Sequence, residues 1–308
     1  MTSWVLRLRI EPGNGGGSGD HHHHDHDHDH EDRRRGRDLD DVAELVTSQL
    51  WDLGTTGVAD LGGELLAGFP SGDEADRAAA EATAWPVEVV AIETASWAGT
   101  DETTTVTVDG LDGPLTLTIS AGPTFGHGAH PTTALALGLL GEAVRQRLGR
   151  STGGPGPSVL DVGTGSGVLA VAAASIGAGR VVGIDVDPTC IRVARTNAEA
   201  NGVSATFTTD PIAAIGNAGD VGTGPFDIVV ANVLWPTQRE LAAAMAAALA
   251  PGGSLITAGT LADDEGRMTA LHLGALGHAG HRSPLVADVR RDRGWTAHRF
   301  DAGPPAAS

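Results

Sequence analysis

Residues 158–188 read SVLDVGTGSGVLAVAAASIGAGRVVGIDVDP. The apolar run Val159-Leu160-Asp161-Val162 breaks into a turn spaced by Gly163, Gly165 and Gly167, and an alanine-rich stretch of helical character follows over 168–176. The order is strand, tight turn, helix. A second apolar run over 181–184 ends on Asp185, about 20 residues past the turn, where the second strand of a doubly wound sheet delivers an acid to a ribose. Glycine lets the backbone take positive φ and lets a ligand approach closely. The helix N-terminus adds unpaired N–H donors facing the same crevice. The plainer reading makes the glycines turn residues of a Rossmann-like fold with no ligand; the placement of Asp185 favours a ligand site.

The turn runs GxGxG behind an acid, DVGTGSG, rather than the GxGxxG of a dinucleotide fingerprint. It resembles motif I of the class I S-adenosylmethionine-dependent methyltransferases, whose ligand carries a carboxylate and a cationic sulfonium and no pyrophosphate.

At 308 residues the chain has room for two domains. Its hydrophobic fraction of 41% is that of a globular protein, and no window approaches the roughly 18 uninterrupted apolar residues of a membrane span. The opening MTSWVLRLRIEP alternates like a strand and lacks a signal-peptide core, so a cytoplasmic protein is expected. The single cysteine, Cys190, suits that compartment. Net charge is −19, and every basic residue other than histidine is arginine. Six acids fall in the tract 20–32; taking them from the 39 leaves 33 against 20 arginines, a balance of −13. Nucleic-acid binding rests on neutralised phosphates, so no direct nucleic-acid contact is expected. A basic protein substrate suits the charge better.

Along the chain, 4–10 alternates as a half-buried strand. Residues 12–32, PGNGGGSGDHHHHDHDHDHED, hold seven of the 13 histidines. Such a tract can capture metal ions weakly, but a catalytic metal needs rigid ligands and a supporting shell. A disordered insertion over about 12–37 with no metal in catalysis is expected. Helical spacing then runs from Asp38 or Asp40 to Leu53, short strands follow at 55–60 and 64–69, a helix at 71–84 and a strand at 87–92. The order β-α-β-β-α-β is that of a ferredoxin-like unit. It carries no catalytic constellation, so recognition rather than chemistry is expected of residues 1–92.

Residues 93–121 read as a linker containing strands at 103–108 and 115–119. GPTFGHGAHPTTALALGLLGEAV, 122–144, then runs a glycine-rich loop into a helix whose first turn suits Pro131. Thr132 and Thr133 are placed at that helix N-terminus, facing the crevice; read plainly, the helix is simply well capped and His130 is structural. Helices follow at 189–201, 239–249 and 261–276. Strands are expected at 205–208, 226–231 and 254–258, the middle one delivering Asn232 to the carboxyl edge of the sheet. A closing hairpin spans 285–290 and 295–300. The expected architecture is thus a Rossmann-like α/β domain over 122–301, a doubly wound, mostly parallel sheet with a C-terminal antiparallel hairpin, preceded by the small α+β unit.

With FGHGAHPTT, VLDVGTGSGVLAVAA, VVGIDVDP, NAEANG and FDIVVANVLWPTQREL in order, the chain resembles the ribosomal protein L11 methyltransferases, the PrmA family. The likeness covers most of 122–260. It implies S-adenosylmethionine held by Phe125, Thr132, Thr133, Asp161, Gly163, Gly165, Gly167, Asp185 and Asn232. Asp185 would take the ribose hydroxyls and Phe125 would offer a ring to the sulfonium. Asn232, the implied catalytic residue, would sit where the target amine meets the methyl group. Methyl transfer from a sulfonium asks chiefly for positioning and for a neutral amine, because lysine is mostly protonated at neutral pH. No compelling general base stands out; His130 is a candidate.

His127 and Ala129 depart from the family's usual threonines, and VLWPTQ after Asn232 departs from its ILAGPL, setting Trp235 beside the substrate channel. The expected function is methylation of lysine side chains or the N-terminal amine of the large-subunit ribosomal protein. A relative acting on another protein or small amine, a non-catalytic S-adenosylmethionine-binding scaffold and an NAD-dependent oxidoreductase are the competing readings.

Overall fold

The computed structural model describes residues 3–10, 46–47, 49–50, 53–55, 57–60, 64–69, 71–85, 87–95, 103–111, 113–120, 130–150, 153–212 and 225–303. The histidine-rich tract, most of the first expected helix, and Phe125, His127 and Ala129 lie outside them. The chain divides into two compact units, residues 1–98 and 99–308.

In the first unit β1 (Ser3–Ile10), β2 (Gly57–Asp60), β3 (Glu64–Phe69) and β4 (Val87–Ala95) form an antiparallel sheet in the order β2-β3-β1-β4. The period of two in β1 sorts its side chains. Leu6, Leu8 and Ile10 are buried with Leu65, Ala67 and Phe69, while Arg7 and Arg9 pair with Glu64 at 3.2 Å each and Arg9 with Glu88 at 2.7 Å. Helix α1 (Gly72–Ala82) closes the core with Ala75, Ala78 and Ala82. Its start is capped by Ser71: the Glu74 N–H donates to Ser71 Oγ, which in turn donates to the Glu74 carboxylate at 2.8 Å. Of the expected helix over 38–53, Val46, Thr47, Gln49 and Leu50 are described and helical.

The second unit opens with a hairpin of β5 (Thr103–Asp109) and β6 (Pro114–Ser120). Its inward residues Val106, Val108, Leu117 and Ile119 join the core of this unit, so the hairpin read as part of a linker over 93–121 packs here, while residues 93–95 of that stretch continue β4 of the first unit. Then come α2 (Pro131–Arg150), β7 (Ser158–Val162), α3 (Val168–Ile176), β8 (Arg180–Ile184), α4 (Pro188–Ala200), β9 (Thr206–Thr208), β10 (Phe226–Asn232), α5 (Trp235–Ala248), β11 (Leu249–Leu261), a 3-10 turn (Ala262–Asp264), α6 (Glu265–His278), β12 (Leu285–Asp292) and β13 (Trp295–Asp301).

The sheet order is β12-β13-β11-β10-β7-β8-β9. From β9 to β11 the pairings are parallel, and β13 runs antiparallel to both of its neighbours. Both faces are covered, as a parallel sheet requires. Val159, Val181, Ile228, Val230 and Ile256 face the layer of α2, α3 and α4; Leu160, Val162, Val182, Val229 and Leu255 face that of α5 and α6. Each such side chain contributes about 1.5–3 kcal/mol on burial. The strand order reverses between β7 and β10, and ligands of such sheets bind at the carboxyl ends there. No helix among the described residues is long and apolar enough to cross a membrane.

β11 is longer than the expected strand at 254–258, because Pro251-Gly252-Gly253 does not end the pairing. Phe226 pairs Leu249 and Ile228 pairs Ser254, so β11 spends five steps where β10 spends two, and regular pairing then runs on. The expected helix at 261–276 likewise begins as the 3-10 turn and becomes α-helical from Glu265.

Candidate functional site

The turn after β7 is held from below and from both sides. Gly163, Gly165 and Gly167 take φ of +71°, +52° and +80°. The N–H groups of Gly163 and Thr164 both donate to the Ile184 carbonyl at 2.9 Å, tying the turn to the end of β8. A Cβ on Gly167 would lie 2.8 Å from that of Ala194, so α4 packs directly on the bend.

Asp161, buried at the end of β7, accepts from Thr164 Oγ1 at 2.7 Å and from the Ala170 N–H at 3.2 Å through Oδ2. It thereby fastens the turn to the first turn of α3. Its Oδ1 is buried without a partner among the described residues. Burial raises its carboxyl to about 7, helped by the neighbouring charge of Asp185 and opposed by the two hydrogen bonds.

Asp185 follows β8 and is half-buried. Its Oδ2 accepts from the Gly165 N–H at 2.9 Å and its Oδ1 from the Asp187 N–H at 3.0 Å. The carboxylate is therefore turned onto the middle of the glycine turn. Its remaining lone pairs can accept further hydroxyls.

The start of α2 supplies the third wall. His130 is the residue before Pro131, and its Nδ1 accepts from the Thr132 N–H at 3.3 Å and meets Thr132 Oγ1 at 2.7 Å. With Nδ1 accepting, the imidazole works as the helix cap, its ring edge-on to Trp295 with centroids 5.3 Å apart. The plainer reading of His130 as a structural histidine thus describes the geometry. Thr132 is tied back to this cap and buried. Thr133 is the one that reaches across: its hydroxyl accepts from Asn232 Nδ2 at 3.2 Å. Asn232 Oδ1 is buried with no partner among the described residues.

Asp161, the glycine turn, Asp185, Thr133 and Asn232 thus share the carboxyl edge of the sheet at β7, β8 and β10. Phe125 lies outside the described residues. Trp235 opens α5, half-buried, with the Arg267 guanidinium 5.6 Å above its ring. The set offers acceptors for hydroxyls and for a cation, and no activated nucleophile, so positioning is the chemistry it can do.

Two features escaped the sequence. Gln238 Nε2 shares its two hydrogens among the Val233 carbonyl, the Ala258 carbonyl and Thr260 Oγ1, all at 2.8–3.0 Å, and its Oε1 meets His272 Nε2 at 3.1 Å. Burial pushes His272 down to about 4. Nothing local marks Gln238 or His272 as interior residues. Asn197 and Asn201 of the NAEANG segment bond β6 and, through Asn197, the glycine turn. Their four-residue spacing on a helix is a signal that could have found them.

Comparison with known proteins places this chain in a family. The family model described as "Ribosomal protein L11 methyltransferase (PrmA)" matches residues 99–276. A ribosomal protein L11 methyltransferase of Pelotomaculum thermopropionicum is 45% identical over 155 residues, 50% of this chain and 46% of that protein. Its counterpart from Syntrophotalea carbinolica is 42% identical over 183 residues, 58% and 53% of the two chains. The chain spans about half the length of the curated relatives it matches. A crystal structure of ribosomal protein L11 methylase from Lactobacillus delbrueckii subsp. bulgaricus is 29% identical, covering 58% of this chain and 81% of that one at a TM-score of 0.45. The match to the family model takes in the glycine turn, Asp185, Thr133 and Asn232, and with it the chain belongs to the ribosomal protein L11 methyltransferase (PrmA) family.

Proposed function

We propose that the second unit binds S-adenosylmethionine at the carboxyl ends of β7, β8 and β10 and that the protein methylates amines of ribosomal protein L11, on lysine side chains or at the N-terminus. The observation that carries this reading is the convergence of the glycine turn, Asp185 and the Thr133–Asn232 pair at the point where the strand order reverses. The family match and the 42–45% identity to proteins named ribosomal protein L11 methyltransferase support it.

The residues fit the ligand. Asp185 presents a charged acceptor for the ribose hydroxyls, with its orientation preset by the Gly165 and Asp187 amides. Asn232 Oδ1, a buried acceptor without a partner among the described residues, suits a donor of the ligand or of the incoming amine, and the equally unpartnered Asp161 Oδ1 can accept when ionised and donate when protonated. The glycines let the turn bend tightly, with Gly163 against Val233 and Gly167 against Ala194, and Thr133 holds the Asn232 amide by its nitrogen. Thr132 serves through the cap of α2. Phe125 enters on the family resemblance alone, as a ring for the sulfonium.

When bound, S-adenosylmethionine supplies a methyl group already activated on sulfur. The protein has to hold the acceptor amine neutral and in line, and Asn232 Oδ1, fixed by the bond from its Nδ2 to Thr133, can accept an N–H of that amine and aim its lone pair. Positioning of this kind removes much of the barrier to a two-reactant step. The β2-β3-β1-β4 order of the first unit, that of a ferredoxin-like sheet, supports its assignment to substrate recognition. The excess of acid over arginine suits a basic protein partner in the cytoplasm, with no direct nucleic-acid contact.

The test is incubation of the full chain with methyl-labelled S-adenosylmethionine and purified large-subunit ribosomal proteins. Label on L11 is expected. Label on a different protein or on a small amine would replace the substrate, and calorimetry showing no binding of S-adenosylmethionine or S-adenosylhomocysteine would overturn the site itself.

A further inference from the structure

The NAEANG segment has no part in the chemistry above, yet its two asparagines make six hydrogen bonds among three elements. Asn197, buried at 2% exposure, accepts the Ser120 N–H at 3.0 Å through Oδ1 and donates from Nδ2 to the Ser120 carbonyl at 2.7 Å and the Ser166 carbonyl at 2.8 Å. Asn201 repeats the pattern two residues back along β6: the Thr118 N–H reaches its Oδ1 at 2.9 Å, and its Nδ2 donates to the Thr118 carbonyl at 2.8 Å and the Asn197 carbonyl at 2.7 Å.

The match is metric. Four helical residues rise about 6 Å, and two strand residues advance roughly 6.6 Å. Amide side chains at i and i+4 on α4 therefore meet the backbone of alternate residues of β6 as a neighbouring strand would. The same face of α4 carries Ala194, three residues before Asn197, against which Gly167 packs so closely that a Cβ there would be 2.8 Å from that of Ala194. The glycine turn is thus pressed on α4 at Gly167 and bonded to it at Ser166, and α4 is in turn braced on β6.

We infer that Asn197 is a positioning residue for the cofactor turn: it fixes the Ser166 carbonyl, whose peptide carries the Gly167 N–H that donates to the Thr164 carbonyl at 2.7 Å, and the Thr164 peptide in turn carries the Gly165 N–H that orients Asp185. Asn201 belongs to the brace alone. The inference rests on the proposal that the turn holds S-adenosylmethionine.

Two variants of the full chain separate the roles. Asn197→Ala leaves the Ser166 carbonyl and both Ser120 groups without their buried partner, and is expected to weaken S-adenosylmethionine binding and raise its KM by about tenfold, with kcat changed less than threefold. Asn201→Ala removes three bonds as well, but none to the turn. It is expected to lower the melting temperature while leaving that KM within twofold. Hydrogen exchange is expected to quicken at the Gly165 and Gly167 amides in the first variant and not in the second. Equal KM effects from the two, or an unchanged KM in Asn197→Ala, would overturn the inference. If the unaltered protein fails to bind S-adenosylmethionine, the functional reading falls and the exchange comparison still decides whether Asn197 holds the turn.

Discussion

Replacing Asp185 tests the site at a half-buried joint. In the free protein its two carboxylate oxygens each accept one backbone N–H, from Gly165 and Asp187 at 2.9 and 3.0 Å. Because the group is half-buried and water can reach the freed amides, Asp185→Ala should cost about 1 kcal/mol per bond, below the usual range of about 1.5–3 kcal/mol for charged hydrogen bonds. For a unit of this size that lowers the melting temperature by ~4–8 °C. The ligand loses more. Two ribose hydroxyls on a charged acceptor are worth about 1.5 kcal/mol each, so the dissociation constant for S-adenosylmethionine should rise by about 100-fold.

Asp185→Asn discriminates further. An isosteric amide is usually the mild replacement, but here both oxygens already face N–H donors, so the new NH2 must point at one of them. The asparagine variant should therefore fall nearer to alanine than to the native protein. Titration calorimetry with S-adenosylmethionine and S-adenosylhomocysteine reads the affinity, and thermal unfolding reads the stability separately. An alanine variant that folds and binds within fivefold of the native protein, or an asparagine variant that binds like it, would refute the reasoning.

Gly167→Ala combines a φ of +80° with a Cβ 2.8 Å from that of Ala194, and should cost about 3 kcal/mol, or roughly 10 °C in melting temperature, whereas Gly202→Ala, at φ +65° with nothing within 4 Å, should cost about 1 kcal/mol; equal melting temperatures for the two would refute the packing argument. Thr133→Val removes the acceptor of the Asn232 amide at constant shape and should lower turnover in the methylation assay about tenfold, with the fold intact by circular dichroism. Stability should also respond to pH through two buried groups of opposite sign. Asp161, raised from 3.8 to about 7, keeps a proton in the fold that the unfolded chain gives up, so its contribution is complete below its ordinary value and is lost as pH climbs towards about 7. His272, lowered from 6.5 to about 4, refuses a proton that the unfolded chain takes, so its contribution is complete above 6.5 and is lost as pH drops towards about 4; His298, also lowered by burial, acts in the same sense. Between those limits Asp161→Asn should steepen the rise of stability with pH and His272→Gln should flatten it, as read by urea unfolding at several pH values; an unchanged slope in either variant would sink the burial argument.

The carboxyl-edge site was legible because its parts announce themselves locally. A strand that must end in a turn with positive φ needs glycine, and 158–188 shows strand, turn, helix and second strand with boundaries close to those observed. Pro131 likewise marked the first residue of α2. Sequence could not tell that Thr132 would turn back to His130 while Thr133 reached Asn232, because that choice depends on a partner 99 residues away. Pro251-Gly252-Gly253 misled for a related reason: it breaks regular geometry locally, yet the pairing of β10 resumes on its far side. Gln238, His272 and His298 are polar residues that sequence rules send to the surface, and only the packing of α5 and α6 on the sheet encloses them. The closing hairpin was expected, but not that its second strand would insert beside β11.

That insertion has a temporal side. β13 is the strand that flanks β11, and 33 residues lie between the end of β11 at Leu261 and Trp295. At the pace of translation, about 5–20 residues per second, the edge of β11 waits several seconds for its neighbour, with Leu255, Ile256 and Ala258 already committed to an interior that has not been walled off. Unpaired edges of that kind recruit foreign strands. A nascent chain that pauses before residue 295 is therefore most vulnerable to aggregation when its glycine turn is already drawn in outline, and the keystone arrives last.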